Sequence, residues 1–155
     1  MGPKGVSMKI AIGSDHAGFI YKQPIKMHLK SKGYEVIDKG TLSEEKTDYP
    51  IYAFKVAKSV RDKEAEYGVL ICGTGIGMSI AANKVKGIRA AAIQSSFAAE
   101  ATKAHNHANV LCVGSRTNTL EEVLHFVDIF FETEEDQMER HVKRIQEISE
   151  YEENR

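Results

Sequence analysis

From residue 8 onward, short runs of consecutive apolar residues alternate with longer stretches in which apolar positions recur every third or fourth residue. The runs at 9–13, 34–38, 67–72, 88–93 and 109–114 predict five strands, and the segments between and after them, at about 17–32, 51–63, 77–85, 96–103 and 120–131, predict helices. Regular alternation of this kind is the pattern of a parallel sheet with crossover helices, so the fold class is α/β. Val69-Leu70-Ile71 and Val110-Leu111-Cys112-Val113 are apolar at successive positions, as strands covered on both faces must be. Pro24 marks either a kink in the first helix or its true start. A last helix, at about 136–151, has no strand after it and carries Met138, Val142, Ile145 and Ile148 at helical spacing; that stripe must cover its own domain or a partner subunit.

The length of 155 residues suits one domain, here 8–155, with a core that needs neither disulfides nor metal. Residues 1–7, rich in Gly, Pro and Lys, show no periodicity and read as a disordered or foreign head before the second Met. Lys plus Arg (21) nearly cancels Asp plus Glu (22), which removes any global field for nucleic acid and requires an anion to be held locally. No run is long and apolar enough for a membrane span, and no secretory leader is recognisable, so a cytoplasmic location without membrane association is expected. Cys72 and Cys112 are too few for a disulfide framework and read as free thiols.

In open parallel sheets ligands bind beyond the carboxyl ends of the strands, near the point where strand order reverses. With strands ordered 2-1-3-4-5, the first and third adjoin there, and Asp15, His16, Cys72 and Thr74 face one crevice. The stretch Gly73-Thr74-Gly75-Ile76-Gly77 lies between a strand and a helix, either as a cradle of backbone N–H groups for an anion or as a tight, closely packed turn. Cys72 favours the cradle, because a thiol beside backbone donors and a helix start can serve as a base or nucleophile. Cys112, inside an apolar run, reads as a small buried hydrophobe. His105-Asn106-His107 precedes the fifth strand, where acid/base work, helix capping and, less well, metal binding are all compatible with the residue types. These groups belong to the amino edge of the sheet and Cys72 to the carboxyl edge, so bringing them together calls for a site shared between two subunits. Arg140 and Arg144, one helical turn apart, suit either a common anion or a solvated face paired with Asp136 and Glu147; Arg116 is a third candidate anion ligand.

Taken together, Gly13-Ser14-Asp15-His16-Ala17-Gly18, Thr47-Asp48-Tyr49-Pro50, Cys72-Gly73-Thr74-Gly75-Ile76-Gly77 with Ala81-Ala82-Asn83-Lys84, Gly87-Ile88-Arg89-Ala90 and His105-Asn106 before Asn109-Val110-Leu111 resemble the type B ribose-5-phosphate isomerases of the ribose/galactose isomerase family. The resemblance implies a Rossmann-like αβα sandwich with a five-stranded parallel sheet and an extra C-terminal helix. It further implies a homodimer or homotetramer that interconverts ribose 5-phosphate and ribulose 5-phosphate in the pentose phosphate pathway, with no cofactor and no metal. Carried onto this chain, Cys72 is the proton-transferring base, and Thr74 with the Gly73, Gly75, Ile76 and Gly77 backbone holds the enediolate oxygen. Asp15 and Asn106 orient hydroxyls, His105 opens the furanose ring, and His16, Arg116, Arg140 and Arg144 hold the phosphate. His107, where relatives carry Asp or another residue, is left without a role.

Three other readings compete, the first of them within the same class of enzyme. A six-carbon sugar phosphate, allose or galactose 6-phosphate, differs from ribose 5-phosphate by the depth of pocket it needs. A nucleotide-binding module is suggested by Asp38, about 20 residues after Gly18, but the glycine loop reads GxGxG and Asp15 and His16 stand where a pyrophosphate needs small residues. A catalytically silent sugar-phosphate sensor would keep much of the same sequence.

Overall fold

The computed structural model describes residues 7–155, so residues 1–6 of the expected head lie outside the described residues. Five strands, β1 (Lys9–Ser14), β2 (Glu35–Asp38), β3 (Tyr67–Cys72), β4 (Ala90–Ala92) and β5 (Val110–Gly114), form one parallel sheet. Six helices accompany them: α1 (Phe19–Ser31), α2 (Tyr49–Arg61), α3 (Ile76–Ala82), α4 (Ser96–Ala104), α5 (Leu120–Glu132) and α6 (Glu139–Glu153).

The side chains of each central strand divide between two cores. Ile10, Ile12, Val69, Ile71, Leu111 and Val113 pack with Ile25 and Leu29 of α1 and with Val123, Val127 and Phe130 of α5. Ala11, Leu70, Cys72, Val110 and Cys112 pack on the other face with Ala53, Val56 and Ala57 of α2 and Met78 and Ala82 of α3. Strands buried on both faces need apolar residues at successive positions, which is why β3 and β5 read as unbroken apolar runs.

The strand order is β2-β1-β3-β5-β4, so the expected order 2-1-3-4-5 is corrected at its last two positions. The fully buried β5 takes the interior place, while three half-buried alanines, Ala90–Ala92, form the edge. The β4 ladder starts late because the Asn109 side chain accepts from the Arg89 amide at 2.8 Å. The adjacency of β1 and β3, on which the crevice depends, is as expected.

The first and last helices start later than expected, each held back by a hydrogen bond made before it begins. Asp15 Oδ1 accepts from the Gly18 amide at 2.9 Å, which winds 15–18 into a turn and delays α1 to Phe19; Pro24 lies inside that helix and does not begin it. Lys22, 2% exposed, ties α1 to the end of β2 through Asp38 Oδ1 at 2.7 Å and the Thr41 carbonyl. The last helix begins at Glu139, later than expected, because the Asp136 amide donates to the Ala104 carbonyl at 3.0 Å and straps the preceding residues across the end of α4. Along α6 only His141 is buried; Met138, Ile148 and Tyr151 are exposed, the last to 75%.

Candidate functional site

At the carboxyl edge of the sheet three loops are laced together. The Asp15 amide donates to the Ile71 carbonyl at 3.2 Å, the Ser115 and Arg116 amides donate to the Cys72 and Gly73 carbonyls at 2.9 Å, and Ser115 Oγ donates to the Ala17 carbonyl at 2.7 Å. These bonds draw the ends of β1, β3 and β5 onto one crevice. Gly75 takes φ of 80° at the start of α3, a left-handed conformation that favours glycine, and its amide donates to Cys72 Sγ at 3.0 Å. The sulfur is therefore held over the loop at the strand end, with Cys72 6% exposed. The Ile76 amide donates to Thr74 Oγ1 at 3.1 Å, leaving Thr74 itself exposed at the lip.

Arg116 lies over the same loop: a Cβ added to Gly73 would stand 3.3 Å from its guanidinium. Tyr49 closes the other side, its ring 2.7 Å from where a Gly77 Cβ would be. Tyr49 was only part of a matched motif in the sequence; its place against the loop depends on how α2 docks, and spacing along the chain does not report that. His16 Nδ1 lies 3.2 Å from both the amide and the carbonyl of Thr47, which anchors the imidazole to the segment before α2. Asp15, His16, Cys72, Thr74 and Arg116 thus share one edge, as expected from topology. A cavity of about 720 Å³ between the 38–43 loop and Tyr52 and Lys55 contains none of them; Thr47 alone bridges, bonding both His16 and the Tyr52 hydroxyl.

Cys112 is on the same face of the sheet but fully buried, and burial, with Cys72 nearby, pushes its thiol far up. It is no candidate for proton transfer.

The remaining candidates lie elsewhere. Register pairs Gly68 with Val110 and Cys72 with Gly114, so four residues, roughly 13 Å of strand, separate the two sheet edges. His105 caps the carboxyl end of α4 and Asn106 follows it, both before β5 begins and thus at the amino edge. Asn106 lines a cavity of about 390 Å³ with Ala90, Ala91, Ile148 and Tyr151. Arg140 and Arg144 are exposed on α6, and among the described residues neither Asp136 nor Glu147 pairs with them. The protein therefore carries two half-sets of candidates at opposite edges of one sheet.

The amino-edge set also contains His141, absent from the sequence reading, and Asp136, which entered it only as a surface partner for Arg140 and Arg144. Asp136 Oδ1 accepts from His141 Nδ1 at 2.8 Å, and Oδ2 lies 3.9 Å from His105 Nε2. The His105 and His141 rings stack with centroids 4.3 Å apart. The hydrogen bond from His141, against a smaller opposing effect of burial, holds the Asp136 carboxyl below the usual carboxylate range. His105, Asp136 and His141 present ligand atoms within 4.8 Å of one another, the one grouping among the described residues that could hold a metal ion. His107 is not part of it: its Nε2–H donates to the Asp136 carbonyl at 2.7 Å, so it braces the strap. His141 sits on the apolar stripe of α6, and a lone polar residue in such a stripe was the available signal.

The sequence pattern of the family described as Ribose/Galactose Isomerase matches residues 10–148. Ribose-5-phosphate isomerase B of Escherichia coli is 48% identical over 147 residues, covering 95% of this chain and 98% of that protein. The structure of Clostridium thermocellum ribose-5-phosphate isomerase B superposes with a TM-score of 0.92 at 48% identity, over 95% of this chain and 99% of the other. That of the Mycoplasma genitalium ribose-5-phosphate isomerase B, which has ribulose 5-phosphate bound, gives 0.91 at 41% identity, over 97% and 99%.

Proposed function

Because the chain belongs to the ribose/galactose isomerase family, we propose that it interconverts ribose 5-phosphate and ribulose 5-phosphate by moving one proton between neighbouring carbons. The observation that carries this reading is the Cys72 sulfur, held at 3.0 Å by the Gly75 amide at the sheet edge that Asp15, His16, Thr74 and Arg116 share. Cys72 Sγ takes the proton from C2 of the open aldehyde; the electron pair moves into the C1–C2 bond and the carbonyl oxygen becomes the enediolate oxygen. The same sulfur returns the proton to C1, and the proton of the 2-hydroxyl passes to the C1 oxygen, leaving a ketone at C2 and a hydroxyl at C1. The reaction is internally balanced, with no external oxidant or reductant, and no metal or cofactor enters it.

Thr74 and the backbone of Gly73, Gly75, Ile76 and Gly77 surround the oxygen that gains charge, a preorganised arrangement that favours the enediolate over the ground state. Within this group the Gly75 amide is directed to the sulfur and the Ile76 amide to Thr74. Asp15, buried and tied to the Gly18 amide, orients a sugar hydroxyl. His16 and Arg116 hold the phosphate from this edge.

The other half-set comes from a second copy: Asn106 orients a hydroxyl, His105 opens the furanose ring, and Arg140 and Arg144 complete the phosphate clamp. What supports this is the separation of the two edges, together with the exposed Met138, Ile148 and Tyr151 along α6 and the exposed Ile76 and Ile80 on α3 and Phe97 at the start of α4, Phe97 to 80%. A homodimer supplies two such sites, and two dimers would make the tetramer. No described helix is long and apolar enough to cross a membrane, and both cysteines are unpaired; a cytoplasmic location belongs to the same reading.

The test is ketose phosphate formation from ribose 5-phosphate, allose 6-phosphate and galactose 6-phosphate, with chelator present, by the wild type and by Cys72→Ala. Chelator-insensitive turnover of ribose 5-phosphate that falls by about 10²-fold or more in the variant is expected. Preference for a six-carbon sugar would move the assignment within the family, and turnover that survives the substitution would sink Cys72 as the base.

A further inference from the structure

The assignment of His105 to ring opening leaves its surroundings unexplained. Opening a furanose breaks the bond between C1 and the ring oxygen, places a proton on that oxygen and removes one from the C1 hydroxyl. An imidazole that does this must hold one orientation, yet His105 is exposed at the carboxyl end of α4 and has no direct hydrogen bond to its ring among the described residues. Its orientation is set from outside. The His141 ring lies against it at 4.3 Å, His141 is buried, and its Nδ1–H is committed to Asp136 Oδ1 at 2.8 Å. Asp136 is fixed in turn at three points: its amide on the Ala104 carbonyl at 3.0 Å, its carbonyl under His107 Nε2–H at 2.7 Å, and its Oδ1 accepting from the Met138 amide at 3.3 Å. The second carboxylate oxygen faces His105 Nε2 at 3.9 Å.

We propose that Asp136 is a positioning residue for ring opening, which sets His105 through the His141 ring stacked on it and balances the positive charge that either imidazole takes up while the proton moves. The unit is His105, His141 and Asp136, and His107 braces it from behind. Asp136 itself touches no reacting atom. The inference rests on His105 being the ring-opening residue and is tested so that the two can fail separately.

Ribulose 5-phosphate has no furanose to open, so exchange of its C1 proton with solvent reports enolisation alone. Deuterium incorporation at C1 in D2O, followed by NMR, is compared with turnover of ribose 5-phosphate for the wild type, His105→Ala, Asp136→Asn and Asp136→Ala, with thermal melting as a control on folding. His105→Ala is expected to lose ribose turnover and keep exchange. Asp136→Asn, which keeps the shape and an acceptor but not the charge, is expected to lose about 10-fold in turnover number, and Asp136→Ala more, both short of the ~10²–10⁴ typical of removing the acid itself. Exchange and the Michaelis constant should stay within about threefold of wild type. Equal loss of exchange and turnover in the Asp136 variants would mark a merely structural role and overturn the proposal, as would unchanged turnover. If His105→Ala keeps ribose turnover, or loses exchange in parallel, the ring-opening assignment itself fails. Should Asp136→Asn melt early, Asp136→Glu, which restores a carboxylate, must recover turnover over Asp136→Ala.

Discussion

The two half-sets of candidates make a sharp demand on assembly. Cys72 ends β3, and His105 precedes the first residue of β5, whose in-register partner on β3 is Gly68. The strand between the edges is roughly 13 Å long, several times the 2.6–3.2 Å reach of a proton transfer. A change of side-chain rotamer cannot close that gap. If the site is shared, Cys72→Ala and His105→Ala inactivate different halves, and each homodimer alone loses both of its sites. In a mixed dimer one site carries both substitutions and the other carries neither. Random reassociation of equal amounts makes half of the dimers mixed, each with one intact site of two, so activity should recover to about a quarter of wild type.

The assay is ribose 5-phosphate turnover after co-expression of the two variants under different affinity tags, with native mass spectrometry counting mixed dimers. Tandem purification of those dimers should raise recovery to about half of the wild-type rate. Mixed dimers present in the expected fraction but no more active than the parents would refute the shared site, and with it the argument from strand register.

Other consequences follow from single residues. Iodoacetamide at neutral pH should label Cys72 and leave Cys112 unmodified in peptide mass maps, because Cys112 is fully buried with its thiol pushed far up; Cys112→Ala should keep most of the activity. Gly75→Ala should melt earlier, by about 1 kcal/mol or more in denaturant titration, since φ of 80° is strained for alanine and the new Cβ would stand 3.0 Å from the Val113 backbone; activity should fall further as the donor to Sγ shifts. Arg140→Ala should raise the Michaelis constant for ribose 5-phosphate with little change in turnover number, and the reverse pattern would contradict a phosphate role. Burial opposes ionisation of Asp38, yet bonds from Lys22, the Gly40 amide and Lys26 hold its carboxyl below the ordinary range. Its folded value lies below the unfolded one, so its contribution is fully present above about pH 4 and is lost as pH falls through the folded value. Asp38→Asn should therefore flatten the acid limb of stability against pH.

What the sequence disclosed was whatever depends on local pattern. β3 is found over the span expected, because apolar residues at successive positions state burial on both faces without reference to neighbours. The positions of the loops after β1 and β3 were legible for the same reason, since Gly13 to Gly18 and Cys72 to Gly77 gather their glycines and polar residues within a few positions. Adjacency was not legible: right-handed crossovers permit β4 on either side of β5, and only the packing of a fully buried strand against three half-buried alanines decides it. The grouping of Asp136 and His141 with His105 was hidden because it depends on a strap whose bonds run to Ala104 and His107, far away along the chain.

If the site is shared, the strand order lets one small sheet serve both halves of it. Placing β5 in the interior gives it loops at both ends that matter: Arg116 follows its carboxyl end over Gly73, while His105 and Asn106 precede its amino end. In the shared-site reading, a two-fold axis across the strands sets the amino edge of one sheet against the carboxyl edge of the other, and β5 then contributes to both sites of the dimer. The apolar groups left uncovered in the single chain are Ile76 and Ile80 on α3, Phe97 at the start of α4, and Met138, Ile148 and Tyr151 along α6. Burying them on association and completing the site are then one event, so substitutions that separate the subunits should abolish turnover without touching any residue that meets the sugar.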